Sequence, residues 1–169
     1  MNALFLIAKQ DFRDEELFEP KQILEEAGIQ TTITSTETGT AVGKLGGTAQ
    51  IDLPIQEVNH EDYDILIIVG GPGAPALADH PKVINLVKKC SESGKKLAAI
   101  CIAPYILAKA GVLTGKKATT FPAEPALSEF DKNNVIKTEK SVVKDGNILT
   151  ADGPNSAKEF GQTIVNMLQ

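Results

Sequence analysis

The sequence predicts an α/β fold built around a mostly parallel β-sheet. Three short runs rich in apolar residues, at 3–8, 63–69 and 97–100, are typical of strands that are buried on both faces. Segments whose apolar residues recur at helical spacing alternate with these runs, and no internal repeat or low-complexity segment interrupts them. This alternation favours a single α/β domain that spans residues 1–169.

The first half of the chain is predicted to contain two strands, one helix and a glycine-rich excursion. After the strand at 3–8, an acidic stretch that begins at Asp14 leads into apolar residues at helical spacing, and Gly28 ends this helix. Residues 29–34 are β-branched and alternate in polarity, which predicts the second strand. Glycines and a proline separate short β-prone pieces between residues 37 and 56, which indicates a hairpin-like excursion rather than a linker.

The middle of the chain is predicted to contain two strands that each lead into a helix. The strand at 63–69 ends in the glycine-rich sequence 70–73, and a helical pattern then runs from Pro81 to Gly94. The strand at 97–100 is followed at once by a second helical pattern, which extends from Pro104 to Gly111.

The C-terminal segment is predicted to complete the sheet and to end in a helix. After residues 116–121, short β-prone stretches lie near 141–144 and 147–150. Asn155 is a suitable N-cap for the last helix, whose apolar residues form one stripe up to Leu168.

The charge and composition disfavour several classes of partner. Seventeen basic residues stand against 22 acidic ones, which gives a net charge of −5, and the only arginine is Arg13. Because the basic residues do not cluster, we expect no nucleic-acid or membrane partner. Tryptophan is absent and aromatic residues make up only 5% of the chain, which disfavours base-stacking surfaces.

The cysteines and histidines are few, with two of each. Their spacing predicts neither a disulfide framework nor a zinc site, and we expect no metal or cofactor. The N-terminus lacks the basic segment of a signal peptide, and no stretch approaches about 20 consecutive apolar residues. These features favour a cytoplasmic protein with free thiols.

Cys101 lies where the strand at 97–100 breaks into a helix with no room for a loop. A sharp strand–nucleophile–helix elbow requires small residues two positions before and after the nucleophile, and Ala99 and Ala103 meet this requirement. The alternative is that Cys101 is a small buried hydrophobic residue, as free cysteines often are. Cys90 is predicted to be such a core residue, because it follows the apolar stripe of its helix.

Two backbone groups accompany this predicted elbow. The start of the following helix is expected to lower the pKa of the Cys101 thiol. The N–H groups of Gly71 and Ile102 are candidates for an oxyanion hole, since both follow strands whose carboxyl ends meet at one edge of the sheet.

At these positions the sequence resembles the ThiJ/PfpI (DJ-one) superfamily, and the resemblance extends over essentially the whole chain. The segments that carry it are Ala98–Pro104, Ile67–Gly71, Thr119–Pro122, Asp145–Gly146, Leu149–Thr150 and Gly153–Pro154.

The resemblance implies a flavodoxin-like three-layer sandwich, with helices on both faces of a mostly parallel sheet. It implies that Cys101 is the reactive cysteine and that the carboxyl of Glu16, four residues before Pro20, hydrogen-bonds its sulfur. Glu16 is then best protonated, because a second negative charge would oppose the thiolate. The resemblance also implies a homodimer or a larger homo-oligomer.

Two positions depart from the pattern of the protease members of this superfamily. Ile102 stands where PfpI-type proteases have histidine, and Phe121 stands where another branch has histidine before Pro122. This combination is similar to the YajL-like branch, which lacks the catalytic histidine. The residues expected to line the pocket are Gly70, Phe121 and Pro122.

The expected function is a cysteine-dependent reaction with reactive dicarbonyls or their protein adducts, of the glyoxalase-III or deglycase type, in stress protection. The partner would be a small electrophilic carbonyl compound or a modified protein. One alternative is a non-enzymatic redox sensor or chaperone in which Cys101 is oxidised. The other is an intracellular cysteine peptidase, which Ile102 disfavours because peptide hydrolysis requires a base beside the nucleophile.

Overall fold

A computed structural model describes all residues from Met1 to Gln169, with a seven-stranded sheet at its centre. The strands are β1 (Asn2–Leu6), β2 (Gln10–Phe12), β3 (Gln30–Ser35), β4 (Gly39–Gly43), β5 (Thr48–Ile51), β6 (Leu53–Pro54), β7 (Ile65–Ile68), β8 (Lys96–Ile100), β9 (Lys117–Ala118), β10 (Ile136–Lys137), β11 (Val142–Asp145) and β12 (Ile148–Ala151). The α-helices are α1 (Asp14–Glu26), α2 (Ala74–Leu77), α3 (Pro81–Glu92), α4 (Pro104–Lys109), α5 (Ala126–Lys132) and α6 (Ala157–Leu168). Short 3₁₀ turns cover Ile55–Glu57, His60–Asp62 and Pro154–Ser156.

The central sheet has the strand order β11-β12-β8-β7-β1-β3-β6. Every neighbouring pair is parallel except β11 and β12. Strand β1 has β3 as its neighbour on one side and β7 on the other. The chain therefore adds strands first in one direction from β1 and later in the opposite direction. A crevice at the carboxyl ends of the strands forms where the direction of winding reverses in this way, and such crevices bind ligands in open α/β sheets.

Helices cover both faces of this sheet, so the fold is the three-layer α/β sandwich that was expected. On one face, α1 and α6 pack on alternate strand residues such as Phe5, Ile67 and Ile100 through apolar side chains that include Leu17 and Phe160. On the other face, α3 and α4 pack on the intervening residues, which include Leu4, Ile68, Leu97 and Ala99. Because both faces are buried, consecutive residues of these strands are apolar, at 3–6, 65–68 and 97–100, which is the pattern that predicts them from the sequence.

The glycine-rich segment forms the expected hairpin-like excursion. Strands β4 and β5 pair antiparallel, and β2 joins them to complete a separate three-stranded sheet. Asp14, in the first turn of α1, accepts hydrogen bonds from the N–H groups of Leu45 (2.8 Å) and Gly47 (2.7 Å). The hairpin turn is therefore attached to the start of α1, two residues before Glu16.

The C-terminal part differs from the prediction in two details. Asn155 does not cap the last helix, which begins at Ala157 after Ser156. Ser156 directs its hydroxyl to Asp152, at 2.7 Å. The sequence also does not predict α5, whose seven residues have too short an apolar stripe to be recognised. None of the helices combines the length and the hydropathy needed to cross a membrane.

Candidate active site

Cys101 follows β8 directly, in the left-handed region of the backbone, with φ of 63°. This conformation costs a residue with a side chain about 1–2 kcal/mol, so neighbouring contacts must hold it. The Cys101 N–H donates to the carbonyl of Ala151 at 2.8 Å. The Cys101 carbonyl accepts from the Thr120 hydroxyl at 2.9 Å and from the Phe121 N–H at 2.8 Å. These three hydrogen bonds fix the sharp elbow that the sequence predicts.

Glu16 brings a fully buried carboxyl group to this elbow. Its side chain lies in the first turn of α1 and is 0% exposed. The Gly70 N–H donates to its Oε2 at 2.9 Å, while its Oε1 has no hydrogen-bond partner. A Cβ on Gly70 would lie 2.6 Å from Oε2 and 2.7 Å from the Cβ of Cys101. Only glycine at this position therefore allows the carboxyl and the thiol to approach each other.

The pKa values of the two groups are raised. Burial raises the pKa of Glu16 to about 7, against the opposing effects of hydrogen bonds from Cys101 and from the Gly70 N–H. Burial also raises the pKa of Cys101 to about 12, with further contributions from the charge and the hydrogen bond of Glu16. The backbone N–H groups at the helix start do act to lower the pKa of Cys101, but desolvation and the neighbouring carboxylate outweigh them, so the net shift is upward and not downward as expected.

These pKa values belong to the pair rather than to either group. Between pH 7 and pH 12, the pair has lost one proton and retains the other. The remaining proton can lie on the carboxyl, next to a thiolate, or on the thiol, next to a carboxylate. Cys101 and Glu16 can thus exchange a proton without the participation of solvent.

The backbone groups proposed for an oxyanion hole lie at the sulfur. The N–H groups of Gly71 and Ile102 both lie close enough to the Cys101 side chain to lower its pKa. Gly71 has φ of 103°, and a Cβ there would lie 2.5 Å from the backbone nitrogen of Arg13. Glycine is therefore needed for Gly71 to turn its N–H toward the sulfur while the start of α1 packs against it.

A cavity of about 400 Å³ opens onto Cys101. Of the three residues expected to line the pocket, only Phe121 lies in its wall, where it is 43% exposed, and the two oxyanion-hole candidates Gly71 and Ile102 lie in the wall as well. The other residues of the wall are Arg13, Pro72, Pro75, Ala123, Glu124 and Pro154. Gly70 lies behind this wall, against Glu16, and Pro122 is an exposed neighbour of Phe121 rather than a wall residue.

Arg13 is a charged residue of the cavity wall that the sequence does not predict to be part of the site. Its Nε and Nη2 donate to the carboxylate of Glu15, at 2.8 and 3.0 Å. Its backbone N–H donates to the carbonyl of Gly70 at 3.0 Å, which places it beside the Cys101–Glu16 pair. That Arg13 is the only arginine of the chain is the one signal that could have drawn attention to it.

The other cysteine and the two histidines lie elsewhere. Cys90 lies on the buried face of α3 and is 4% exposed, which makes it a core residue, as predicted. His60 contacts Glu61 and Ser93 at the surface, and His80 precedes α3 beside a different cavity. No group of three or more His, Cys, Asp or Glu side chains is arranged to hold a metal ion.

Comparison with known proteins identifies relatives along the whole chain. The model of the DJ-1/PfpI family matches residues 1–167. A deglycase of Pyrococcus horikoshii is 34% identical over 169 residues, which is 100% of both chains. An uncharacterized protein of Methanocaldococcus jannaschii is 42% identical over 99% of this chain and 82% of its own length.

Solved structures match the fold just as widely. A ThiJ/PfpI domain protein from Brachyspira murdochii has a TM-score of 0.95 and 38% identity, over 99% of this chain and 95% of that one. The DJ-1beta protein of Drosophila melanogaster has a TM-score of 0.86 and 30% identity, over 99% and 90% of the two chains. With a family match over nearly every residue and relatives above 30% identity, this chain belongs to the DJ-1/PfpI family.

Proposed function

We propose that the protein is a cysteine-dependent enzyme that converts reactive dicarbonyls, free or as protein adducts, by a glyoxalase or deglycase type of reaction. The observation that carries this proposal is the fully buried carboxyl of Glu16 beside Cys101, since a Cβ on Gly70 would lie within 2.6 Å of the Glu16 Oε2 and 2.7 Å of the Cys101 Cβ, at a cavity of about 400 Å³. Three relatives that match the whole chain at 32–34% identity are named deglycases, which supports the same class of reaction.

The first step is addition of the sulfur to the aldehyde of a 2-oxoaldehyde such as methylglyoxal. The Sγ–C bond forms, the aldehyde π bond breaks, and the thiol proton passes through Glu16 to the aldehyde oxygen, which gives a hemithioacetal. The N–H groups of Gly71 and Ile102 are close enough to the sulfur to stabilise the negative charge that develops on this oxygen.

The second step moves a proton along the substrate. Glu16 takes the proton from the former aldehyde carbon, which gives an enediol, and a proton is returned to the neighbouring carbon, which gives a thioester of a 2-hydroxy acid. A pKa of about 7 suits Glu16 to this role, because both of its forms are populated at neutral pH. Water then cleaves the thioester, which releases the hydroxy acid and restores the thiol, so no oxidant or reductant is consumed.

A peptidase reaction has less support from the site. Neither histidine lies in the wall of the cavity. Ile102 and Phe121 occupy the two positions where the resemblance places histidine in other branches of the superfamily. An amide is a much weaker electrophile than an aldehyde, and its leaving amine requires a strong acid–base partner. The Cys101–Glu16 pair is adequate for a carbonyl that is already reactive.

The test is the rate of lactate formation from methylglyoxal. We expect Cys101→Ser and Glu16→Gln each to lower kcat/KM by roughly 10²–10⁴, the range typical of a lost general acid–base or nucleophilic group. Cys90→Ser is the matched control, because Cys90 is also a buried free thiol but lies outside the cavity, and it should retain its activity. Equal rates in all four proteins would overturn the proposal.

The second candidate function is that of a redox sensor, and one feature of the site favours it. The Cys101 sulfur is surrounded by donors, namely the Gly71 and Ile102 N–H groups and a protonated Glu16, that would stabilise a sulfinate. Two molecules of hydrogen peroxide would deliver the two oxygen atoms and leave as water. Intact mass and peptide mapping after mild peroxide treatment should then show two added oxygens at Cys101 before any at Cys90, and oxidation of Cys90 first would exclude this role.

A further inference from the structure

Arg13 supplies the only positive charge in the wall of the cavity. It lines the same cavity as Cys101, and the negative charges of Glu16 and of the Cys101 thiolate act on its guanidinium. The side chain is held in place at both ends, since its backbone N–H bonds to Gly70 and its guanidinium forms a fork with Glu15.

The fork with Glu15 leaves part of the guanidinium free. An arginine has five N–H donors, and Glu15 uses the one on Nε and one of the two on Nη2. Three donors remain on the other edge of a plane whose orientation the fork has already fixed. Because Arg13 lines the cavity while Glu15 does not, this free edge is available to a molecule bound there.

The other charged residue of the wall does not cancel this feature. Glu124 is exposed, and its Oε2 accepts hydrogen bonds from the Ser128 hydroxyl (2.6 Å) and N–H (3.2 Å). Solvent screens an exposed carboxylate of this kind. Arg13 is only about one-third exposed, with 32% of its side chain accessible, and a charge that is partly shielded from water attracts an anion more strongly.

We propose that Arg13 is a specificity-determining residue that selects carbonyl compounds bearing a carboxylate next to the carbon that Cys101 attacks. The planar guanidinium matches the geometry of a carboxylate, and it would orient the neighbouring carbonyl carbon over the sulfur. This inference rests on the proposed function only for the first step, the addition of the Cys101 sulfur to the carbonyl carbon. A carboxylate cannot take part in the enediol step, so a compound of this class is held as the hemithioacetal, and recognition of the anion does not require turnover.

The test compares two alkylating reagents of nearly the same shape at Cys101. Iodoacetate carries a carboxylate and iodoacetamide is neutral, and in both cases the sulfur displaces iodide as the S–C bond forms and the thiol proton is lost. The ratio of the two rate constants isolates recognition of charge, because any change in the thiolate fraction of Cys101 affects both reagents equally. Peptide mapping assigns the modification to Cys101 rather than Cys90.

We expect the iodoacetate-to-iodoacetamide ratio at Cys101 to exceed that of free glutathione and to fall roughly fivefold or more in Arg13→Met. Arg13→Lys keeps the charge but not the planar fork of donors, so it should retain only part of the preference and give a ratio between those of the wild-type protein and Arg13→Met. Lys21→Met removes the same charge from α1 outside the cavity, and it should leave the ratio unchanged. A ratio equal to that of glutathione in the wild-type protein, or an unchanged ratio in Arg13→Met, would overturn the inference.

A competition experiment connects this result to aldehydes. Glyoxylate, which adds reversibly to a thiol as a hemithioacetal, should protect Cys101 from iodoacetamide at lower concentration than neutral glycolaldehyde does, and Arg13→Met should remove the difference. If methylglyoxal is not turned over but these preferences are observed, the proposed function fails and the anion site stands. If methylglyoxal is turned over and the preferences are absent, the role of Arg13 is overturned while the proposed function is retained.

Discussion

The buried carboxyl of Glu16 should make the stability of the protein fall as the pH rises through neutrality. Its pKa is raised from 4.5 to about 7 in the folded protein. At this group the folded state therefore binds one more proton than the unfolded state between these two values, so the contribution of Glu16 to stability is highest below pH 4.5 and decreases up to about pH 7. At about 1.4 kcal/mol per pH unit, this single group removes about 3 kcal/mol of stability.

Substitution of Glu16 by glutamine tests this magnitude directly. Glutamine has nearly the same shape, its carbonyl oxygen can accept the hydrogen bond from the Gly70 N–H, and it does not ionise. The free energy of unfolding of Glu16→Gln relative to wild type should therefore increase by about 3 kcal/mol between pH 4.5 and pH 8. The same variant is expected to lose activity, so a gain in stability would accompany the loss of function.

Urea denaturation at half-unit pH steps measures this difference, since other titrating groups contribute equally to both proteins. Glu26→Gln, which removes an exposed carboxyl from the same helix, is the control and should stay within about 0.5 kcal/mol of wild type throughout. A difference between Glu16→Gln and wild type that does not vary with pH would refute the reasoning, because it would mean that Glu16 ionises as readily in the folded as in the unfolded chain.

Three further outcomes follow from the same geometry. Gly70→Ala should destabilise the protein by about 1–3 kcal/mol in urea denaturation and abolish methylglyoxal turnover, because its Cβ would lie 2.6 Å from the Oε2 of Glu16; a variant with wild-type activity would contradict this. Asp14→Ala should lower the free energy of unfolding by about 2–4 kcal/mol in the same assay, because the N–H groups of Leu45 and Gly47 lose their carboxylate acceptor. A decrease of less than about 0.5 kcal/mol would show that the hairpin does not depend on Asp14. The pH profile of kcat/KM for methylglyoxal should rise with a midpoint near pH 7, where the pair loses its first proton, and a profile that is flat from pH 5 to pH 9 would exclude Glu16 from the reaction.

Most of the fold could be predicted because its strands are buried on both faces. The runs that became β1, β7 and β8 each contain at least four consecutive apolar residues, which is typical of a sheet covered by helices on both sides. Strand β2 and helix α5 could not be predicted in the same way, because each is short. Contacts with other parts of the fold stabilise them, and their own pattern of apolar residues is too short to be recognised.

The candidate site could be predicted only in part from the residues themselves. Cys101 is marked by its place between a strand and a helix, but three acidic residues occupy the first turn of α1 and spacing does not distinguish them. The resemblance to a family selected Glu16; the structure shows that it differs from Glu15 by pointing inward to Gly70. The raised pKa of Cys101 was not predictable, because it depends on burial by distant segments of the chain.

The most direct test of the proposed function is the ratio of lactate formation from methylglyoxal between Cys101→Ser and Cys90→Ser. Both substitutions replace a buried free thiol by a hydroxyl, and only Cys101 faces the cavity and the carboxyl of Glu16. We predict that the Cys101 variant is slower by roughly a hundredfold or more while the Cys90 variant keeps the wild-type rate. Equal rates in the two variants would contradict the proposal that the Cys101–Glu16 pair is the catalytic centre.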